Sequence, residues 1–122
     1  TDMLSLKSVS LRVSCDAGHL QHPNYEKMGE PLHQLKPGGG VIIKESHKSN
    51  TAFDDGGNAL LLEAAIRSNT KYQISGPTNG HSGGGTIGPK IEYNEGVATI
   101  DTGVGCYAMH SCREMMDVDD IG

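Results

Sequence analysis

"SLKSVSLRVSCD", residues Ser5–Asp16, decides how the chain is to be read. Leu6, Val9, Leu11 and Val13 sit among Ser, Lys and Arg, and from Val9 onward apolar and polar residues alternate strictly. A period of two is the signature of a half-buried strand. Such a strand delivers Cys15–Asp16 at its C-terminal end, and α/β folds gather their ligand-binding groups at strand ends.

Outward from that strand, residues 17–40 carry breakers at Pro23, Pro31, Pro37 and Gly38–Gly40 and read as loop. "VIIK" (Val41–Lys44) is a short β-branched run, the pattern of a buried strand. "DDGGNALLLEAAIRSN" (Asp54–Asn69) is the strongest helix: Asp54 or Asp55 can cap it, and Leu60, Leu61, Ala64 and Ala65 recur at helical spacing. Two glycines weaken its first turn. "KYQIS" (Lys71–Ser75) and "VATID" (Val97–Asp101) are further strands, with "CYAMHS" (Cys106–Ser111) a short fifth. "REMMDVDDIG" (Arg113–Gly122) reads as the start of a helix, with Asp117, Asp119 or Asp120 as its cap. Strands alternating with a helix indicate an α/β layer fold.

Composition narrows the function. The chain has 122 residues, enough for one domain, and 35% of them are hydrophobic. Its 17 glycines cluster in loops instead of repeating with a period. The net charge is −5 and the basic residues are scattered, which argues against nucleic acid and anionic membranes as partners. No apolar run approaches the roughly 20 residues of a membrane span, and no signal peptide is expected at the start. Three cysteines, without a paired spacing, read as free thiols of a reducing compartment, most simply the cytosol.

Two stretches carry candidate chemistry. "SCDAGHLQHPNY" (Ser14–Tyr25) holds Asp16, His19 and His22; "CYAMHSCREM" (Cys106–Met115) holds His110. Carboxylate oxygen and imidazole nitrogen are both zinc ligands. From spacing alone Asp16 could equally be a turn residue and His110 a surface histidine, since the chain has no HExxH and no CxxC. The loop "GHSGGGTIGP" (Gly80–Pro89) lacks the Lys of a phosphate loop, and Pro89 is expected to interrupt any helix after it. Ser82 does not complete a nucleophile elbow. Glycine there allows close backbone approach to a ligand or another chain. Lys44, ending "VIIK", can meet an anion or simply face water.

Taken together, "SCDAGHLQHPNY", "GGGVIIKES", "GGTIGP" and "AMHSCREM" resemble, in order and spacing, the C-terminal part of the aspartyl aminopeptidase family. "KPGGGVIIK" and "EMMDVDDI" are also similar to the related glutamyl and deblocking aminopeptidases. The resemblance covers roughly residues 9–120. It implies an α/β, three-layer mixed sheet flanked by helices. Residues 1–122 would be a partial metallo-aminopeptidase catalytic domain, lacking the N-terminal ligand-bearing part and the C-terminal helix. It implies a cytoplasmic enzyme with two divalent metal ions, zinc first with manganese or cobalt compatible, that cleaves N-terminal Asp or Glu from peptides. It also implies a homo-oligomer, a dodecamer in that family. By the same resemblance Asp16 ligates one metal and His110 the other, while His19, His22, Lys44, Gly84, Gly85, Thr86 and Gly88 line the substrate cleft.

The chain departs from the pattern where the chemistry is richest. The family's His-x-Asp and Glu-Glu motifs, which carry further ligands and the general base, have no counterpart here. "KIEYNEG" (Lys90–Gly96) is shorter and more polar than the family's helix after "TIGP". The chain alone is therefore expected to be inactive. The alternatives are a non-catalytic assembly module of the same fold and an aminopeptidase of different specificity.

Overall fold

The computed structural model describes residues 2–45, 51–76 and 84–121. Helix α1 (Met3–Ser8) opens the chain, followed by β1 (Leu11–Cys15), β2 (Gly18–His19), β3 (Val41–Lys44), α2 (Asp55–Arg67) and β4 (Tyr72–Ser75). Then come α3 (Gly88–Glu95), β5 (Ala98–Gly103), β6 (Gly105–Tyr107) and β7 (Met115–Met116). The fold is mixed α/β. Its strands form two mixed sheets, ordered β1-β5-β3-β4 and β2-β6-β7.

The strand that alternation predicts is there, but it starts at Leu11, two residues after Val9. Before it, α1 is initiated by Asp2, whose side chain accepts the Leu4 N–H at 2.6 Å, a local bond that outcompetes strand pairing. Val9 closes that helix instead of opening the strand. In β1, Leu11 and Val13 remain 36% and 46% exposed while Ser14 is buried, so β1 is an edge strand with one partly open apolar face.

β5 is the spine of the larger sheet. It pairs in parallel with β1 (Val13 against Ile100, Cys15 against Thr102) and antiparallel with β3 (Ile43 against Thr102). Helix α2 carries the chain from β3 to β4, which lie parallel, as such a crossover requires. Ile42, Ile43, Thr99, Ile100 and Asp101 form the buried centre. Each isoleucine there contributes about 1.5–3 kcal/mol by leaving water.

The two glycines of α2 have a packing reason in one case. A Cβ on Gly57 would come within 2.6 Å of Leu11 Cδ1 and 2.7 Å of Ile100 Cγ2, so only glycine lets the first turn lie this close to β1 and β5. Asp54 caps the helix through its Oδ2, which accepts the Gly57 N–H at 2.6 Å.

Two expectations need correction. Pro89 does not interrupt a helix: it sits in the first turn of α3, where a missing N–H costs nothing. "REMMDVDDIG" does not open an α-helix. Met115–Met116 pair with β6 as β7, and Val118–Asp120 form a single 3₁₀ turn capped by Asp117. The side chain of Asp120 is engaged elsewhere, accepting the Gly38 N–H at 2.9 Å and the Gly40 N–H at 2.6 Å. Of the Gly-rich loop Gly80–Pro89, residues 80–83, with Ser82, lie outside the described residues.

Candidate active site

Asp16 follows β1 directly, and its backbone N–H donates to the Thr102 carbonyl at 2.8 Å. The next residues enter β2, which pairs in parallel with β6: Gly18 against Gly105, His19 against Cys106. The segment after β1 and the segment after β5 thus run side by side. Gly103 makes this possible, because a Cβ there would overlap the Asp16 carbonyl oxygen at 2.0 Å. His110 comes three residues after β6 ends. The pairing therefore sets the segment that follows Asp16 beside the segment that precedes His110, with Asp16 before the pair and His110 after it.

Within this frame each candidate has a defined environment. The Asp16 carboxylate is exposed and faces Lys44, whose Nζ lies 3.4 Å from Oδ2. The Lys44 ammonium also donates to the Ala17 carbonyl at 3.0 Å. Lys44 is buried, so of the two readings of this residue the solvent-facing one does not hold. His19 and His22 are exposed. His22 caps the 3₁₀ segment Pro23–Met28: its Nδ1 accepts the Asn24 N–H at 3.1 Å. Its ring also packs edge-on to Tyr107, at 6.4 Å between centroids, which ties the His-rich loop to the His110 half.

His110 is exposed and adopts a left-handed backbone, φ 68°. Ala108, two residues earlier, does the same at φ 54°. Such conformations cost of order 1–3 kcal/mol for residues with a Cβ and tend to occur at functional sites. The His110 turn is held by two bonds: its own N–H to Glu114 Oε1 at 2.5 Å, and the Ser111 N–H to the Ala108 carbonyl at 3.0 Å. Between the halves, Cys106 is fully buried, and that burial pushes its thiol pKa up; the nearby Glu114 and Asp16 carboxylates add to the effect.

Gly84 and Gly85 are exposed, Thr86 is half-buried and Gly88 is buried. The Thr86 hydroxyl donates to Asp101 Oδ2 at 2.5 Å. Sequence reasoning missed Asp101 and Glu114. The signal for Asp101 was an acid inside the apolar run "VATID"; Glu114 carried none beyond following His110 by four residues.

Asp16 and His110 are the right donor types for zinc, but among the described residues no three His, Cys, Asp or Glu side chains converge on one point. Zinc sites use about three or four protein ligands, so this donor set fits part of a metal centre and not a whole one.

Residues 2–122 match the sequence model of the family described as aminopeptidase I zinc metalloprotease (M18). The chain belongs to that family. Among its M18 relatives, a probable aspartyl aminopeptidase of Ricinus communis is 37% identical over 112 residues, 92% of this chain and 23% of the relative. The crystal structure of prApe1 superposes with a TM-score of 0.93 at 32% identity, over 98% of this chain and 25% of that one. The Saccharomyces cerevisiae mApe1 dodecamer superposes at 0.80 with 29% identity, over 99% of this chain and 26% of that one. The chain spans about a quarter of the length of the M18 proteins it matches. The description of the family names zinc, which supports a metal cofactor.

Proposed function

We propose that the whole protein is an M18 aminopeptidase that removes acidic residues from peptide N-termini, and that this chain supplies one side of its active site. In this reading Asp16 ligates one divalent metal and His110 the second. When bound, such metals lower the pKa of water and polarise the scissile carbonyl. The remaining ligands and the general base belong to His-x-Asp and Glu-Glu motifs that residues 1–122 do not contain. The chain alone is therefore inactive.

The observation that supports the proposal is the parallel pairing of β2 with β6, which runs the segment after Asp16 beside the segment before His110 in a chain of this family. Lys44 supports the acidic specificity. A buried ammonium at the edge of the Asp16 turn is a ready partner for a substrate carboxylate. His19 and His22 line the cleft from the loop after Asp16, Gly84, Gly85 and Thr86 line it from the β4–α3 connection, and Gly88 from the start of α3. The enzyme would act on peptides in the cytoplasm, without membrane or nucleic acid, as a homo-oligomer; a related mApe1 is a dodecamer. Zinc is the first choice of metal.

A second reading has one observation in its favour: no three-ligand group forms among the described residues. On that reading the chain is a non-catalytic assembly module of the same fold. A single experiment separates the two. The native protein is purified, its subunit mass and metal content are measured, and it is assayed on Asp-, Glu- and Leu-anilides. A subunit several times heavier than 12.9 kDa, with about two metals and fastest turnover on acidic substrates, supports the aminopeptidase. A 12.9 kDa subunit without metal or turnover supports the module.

A further inference from the structure

Asp101 is a carboxylate with no exposed surface, in the middle of β5 and flanked by the buried Ile100 and Thr102. Among the described residues no cation reaches it. Burying an unpaired carboxylate is costly, so one retained in a core has its oxygens committed to donors. Here both donors fall on Oδ2: the Ala52 N–H at 2.6 Å and the Thr86 hydroxyl at 2.5 Å. Ala52 is gripped twice, because its carbonyl accepts the Asp101 N–H at 3.2 Å.

The two donors come from different places. Ala52 belongs to the β3–α2 connection, which leaves Lys44; Thr86 belongs to the β4–α3 connection, which holds the glycines of the candidate cleft. One side chain therefore ties both connections to the sheet. The second oxygen, Oδ1, has no hydrogen-bond partner among the described residues and lies against Gly88, where a Cβ would approach within 2.7 Å. Gly88 opens α3, a helix with no side-chain cap of its own. The carboxylate thus also faces the positive end of that helix.

We propose that Asp101 is a positioning residue for the substrate cleft, fixing the Gly84–Gly88 loop against the β3–α2 connection through the Thr86 hydroxyl and the Ala52 amide. This rests on the aminopeptidase reading for the claim that the loop meets substrate. The Thr86 hydroxyl proton is committed to Asp101, so substrate meets the backbone of this loop, and the loop's placement determines how well it binds.

The test uses the full-length enzyme with three variants: Thr86→Val, which removes the hydroxyl at nearly constant volume, Thr86→Ser, which keeps it, and Asp101→Asn. Two quantities are read: steady-state kinetics, and hydrogen exchange at the amides of residues 84–88. Thr86→Val is expected to raise KM about tenfold, the value of one charge-assisted hydrogen bond, with kcat and metal content little changed. It is also expected to speed exchange in the loop and leave β1 and β3 untouched. Thr86→Ser is expected to restore both readouts. Adding Asp101→Asn to Thr86→Val is expected to give less than the product of the two single effects, because both act on the same bond: the amide oxygen still accepts but has lost the charge that strengthens it.

Wild-type exchange in Thr86→Val would overturn the proposal, and so would faster exchange with unchanged KM. A Thr86→Ser variant as impaired as Thr86→Val would overturn it as well, since volume and not the hydroxyl would then matter. A wild-type enzyme without peptidase activity would overturn the aminopeptidase reading and the cleft role with it, while exchange still decides whether Asp101 anchors the loop.

Discussion

The Lys44 ammonium lies 3.0 Å from the Ala17 carbonyl and 3.4 Å from Asp16 Oδ2, so the one buried lysine among the described residues is anchored on the turn that presents the candidate metal ligand. The longer contact is the looser one, and an incoming carboxylate can compete for it. In the full-length enzyme, Lys44→Ala is expected to lower kcat/KM on N-terminal Asp and Glu substrates about 10- to 100-fold, the equivalent of a charged hydrogen bond worth about 1.5–3 kcal/mol. Turnover of Leu-anilide should change far less. Equal loss on acidic and neutral substrates would reassign Lys44 to holding the Asp16–Ala17 turn.

Asp16→Asn and His110→Ala bear directly on the metal centre. Each variant of the full-length enzyme is expected to retain about one metal fewer per subunit and to lose more than about a hundredfold in activity, since even outer-shell partners of ligands cost about 10–100-fold. Metal analysis of the purified variants decides the point. If both variants keep their full metal content, neither residue is a ligand. The isolated 122-residue chain should show no metal-dependent turnover of Asp- or Leu-anilides; turnover would mean that the ligand set is complete without the missing motifs.

Much of this arrangement was legible from local pattern. The alternation through Leu11 and Val13, the run Val41–Lys44 and the helical spacing after Asp54 each correspond to an element within a few residues. What was not legible depended on partners distant in sequence. Met115 and Met116 form a strand only because β6 offers an edge, and nothing in "REMM" announces it. The purpose of Gly57 becomes visible only once Leu11 and Ile100 lie across from it. Pro89 misled because proline ends a helix from its interior but favours one from its first turn, and the boundary was not known in advance. In the candidate site, Asp16 and His110 were found through a family resemblance; spacing alone left each as readily a turn or surface residue. Asp101 was passed over as the end of a strand, although a carboxylate among Val97, Ile100 and Thr99 was the sequence's own sign of a buried polar anchor.

Asp120 gives a stability prediction independent of the chemistry. Its two oxygens accept the N–H groups of Gly38 and Gly40, and Gly40 sits at φ 87°, where a Cβ would overlap the Lys71 carbonyl oxygen at 2.0 Å. Asp120→Ala leaves both donors without an acceptor, at about 1–3 kcal/mol for the buried Gly40 N–H and about 1 kcal/mol for the half-buried Gly38 N–H, so a total loss of about 2–4 kcal/mol is expected from urea unfolding of the full-length protein. Asp120→Asn keeps one acceptor and should lose about half as much. An unchanged urea midpoint in Asp120→Ala would mean that the glycine loop finds other acceptors.

The Arg12–Glu95 pair sets a pH dependence whose sign can be worked out. Arg12 Nη2 donates to Glu95 Oε2 at 2.7 Å, joining β1 to the last residue of α3, and the Lys7 ammonium donates to the Glu95 carbonyl at 2.8 Å. The hydrogen bond from Arg12, reinforced by its charge, holds the Glu95 carboxyl below its ordinary value of 4.5. A carboxyl whose folded pKa is depressed stabilises the fold fully above its unfolded pKa, and that contribution fades as pH falls through the folded value. Glu95 is exposed and Arg12 half-exposed, so the effect is small and screened by salt. Full-length Glu95→Gln should melt slightly below wild type at pH 7. The gap should close as pH falls below 4.5 and narrow again in high salt at neutral pH. A gap that persists unchanged into acid would assign the loss to the packing of the side chain at the end of α3, and not to its charge.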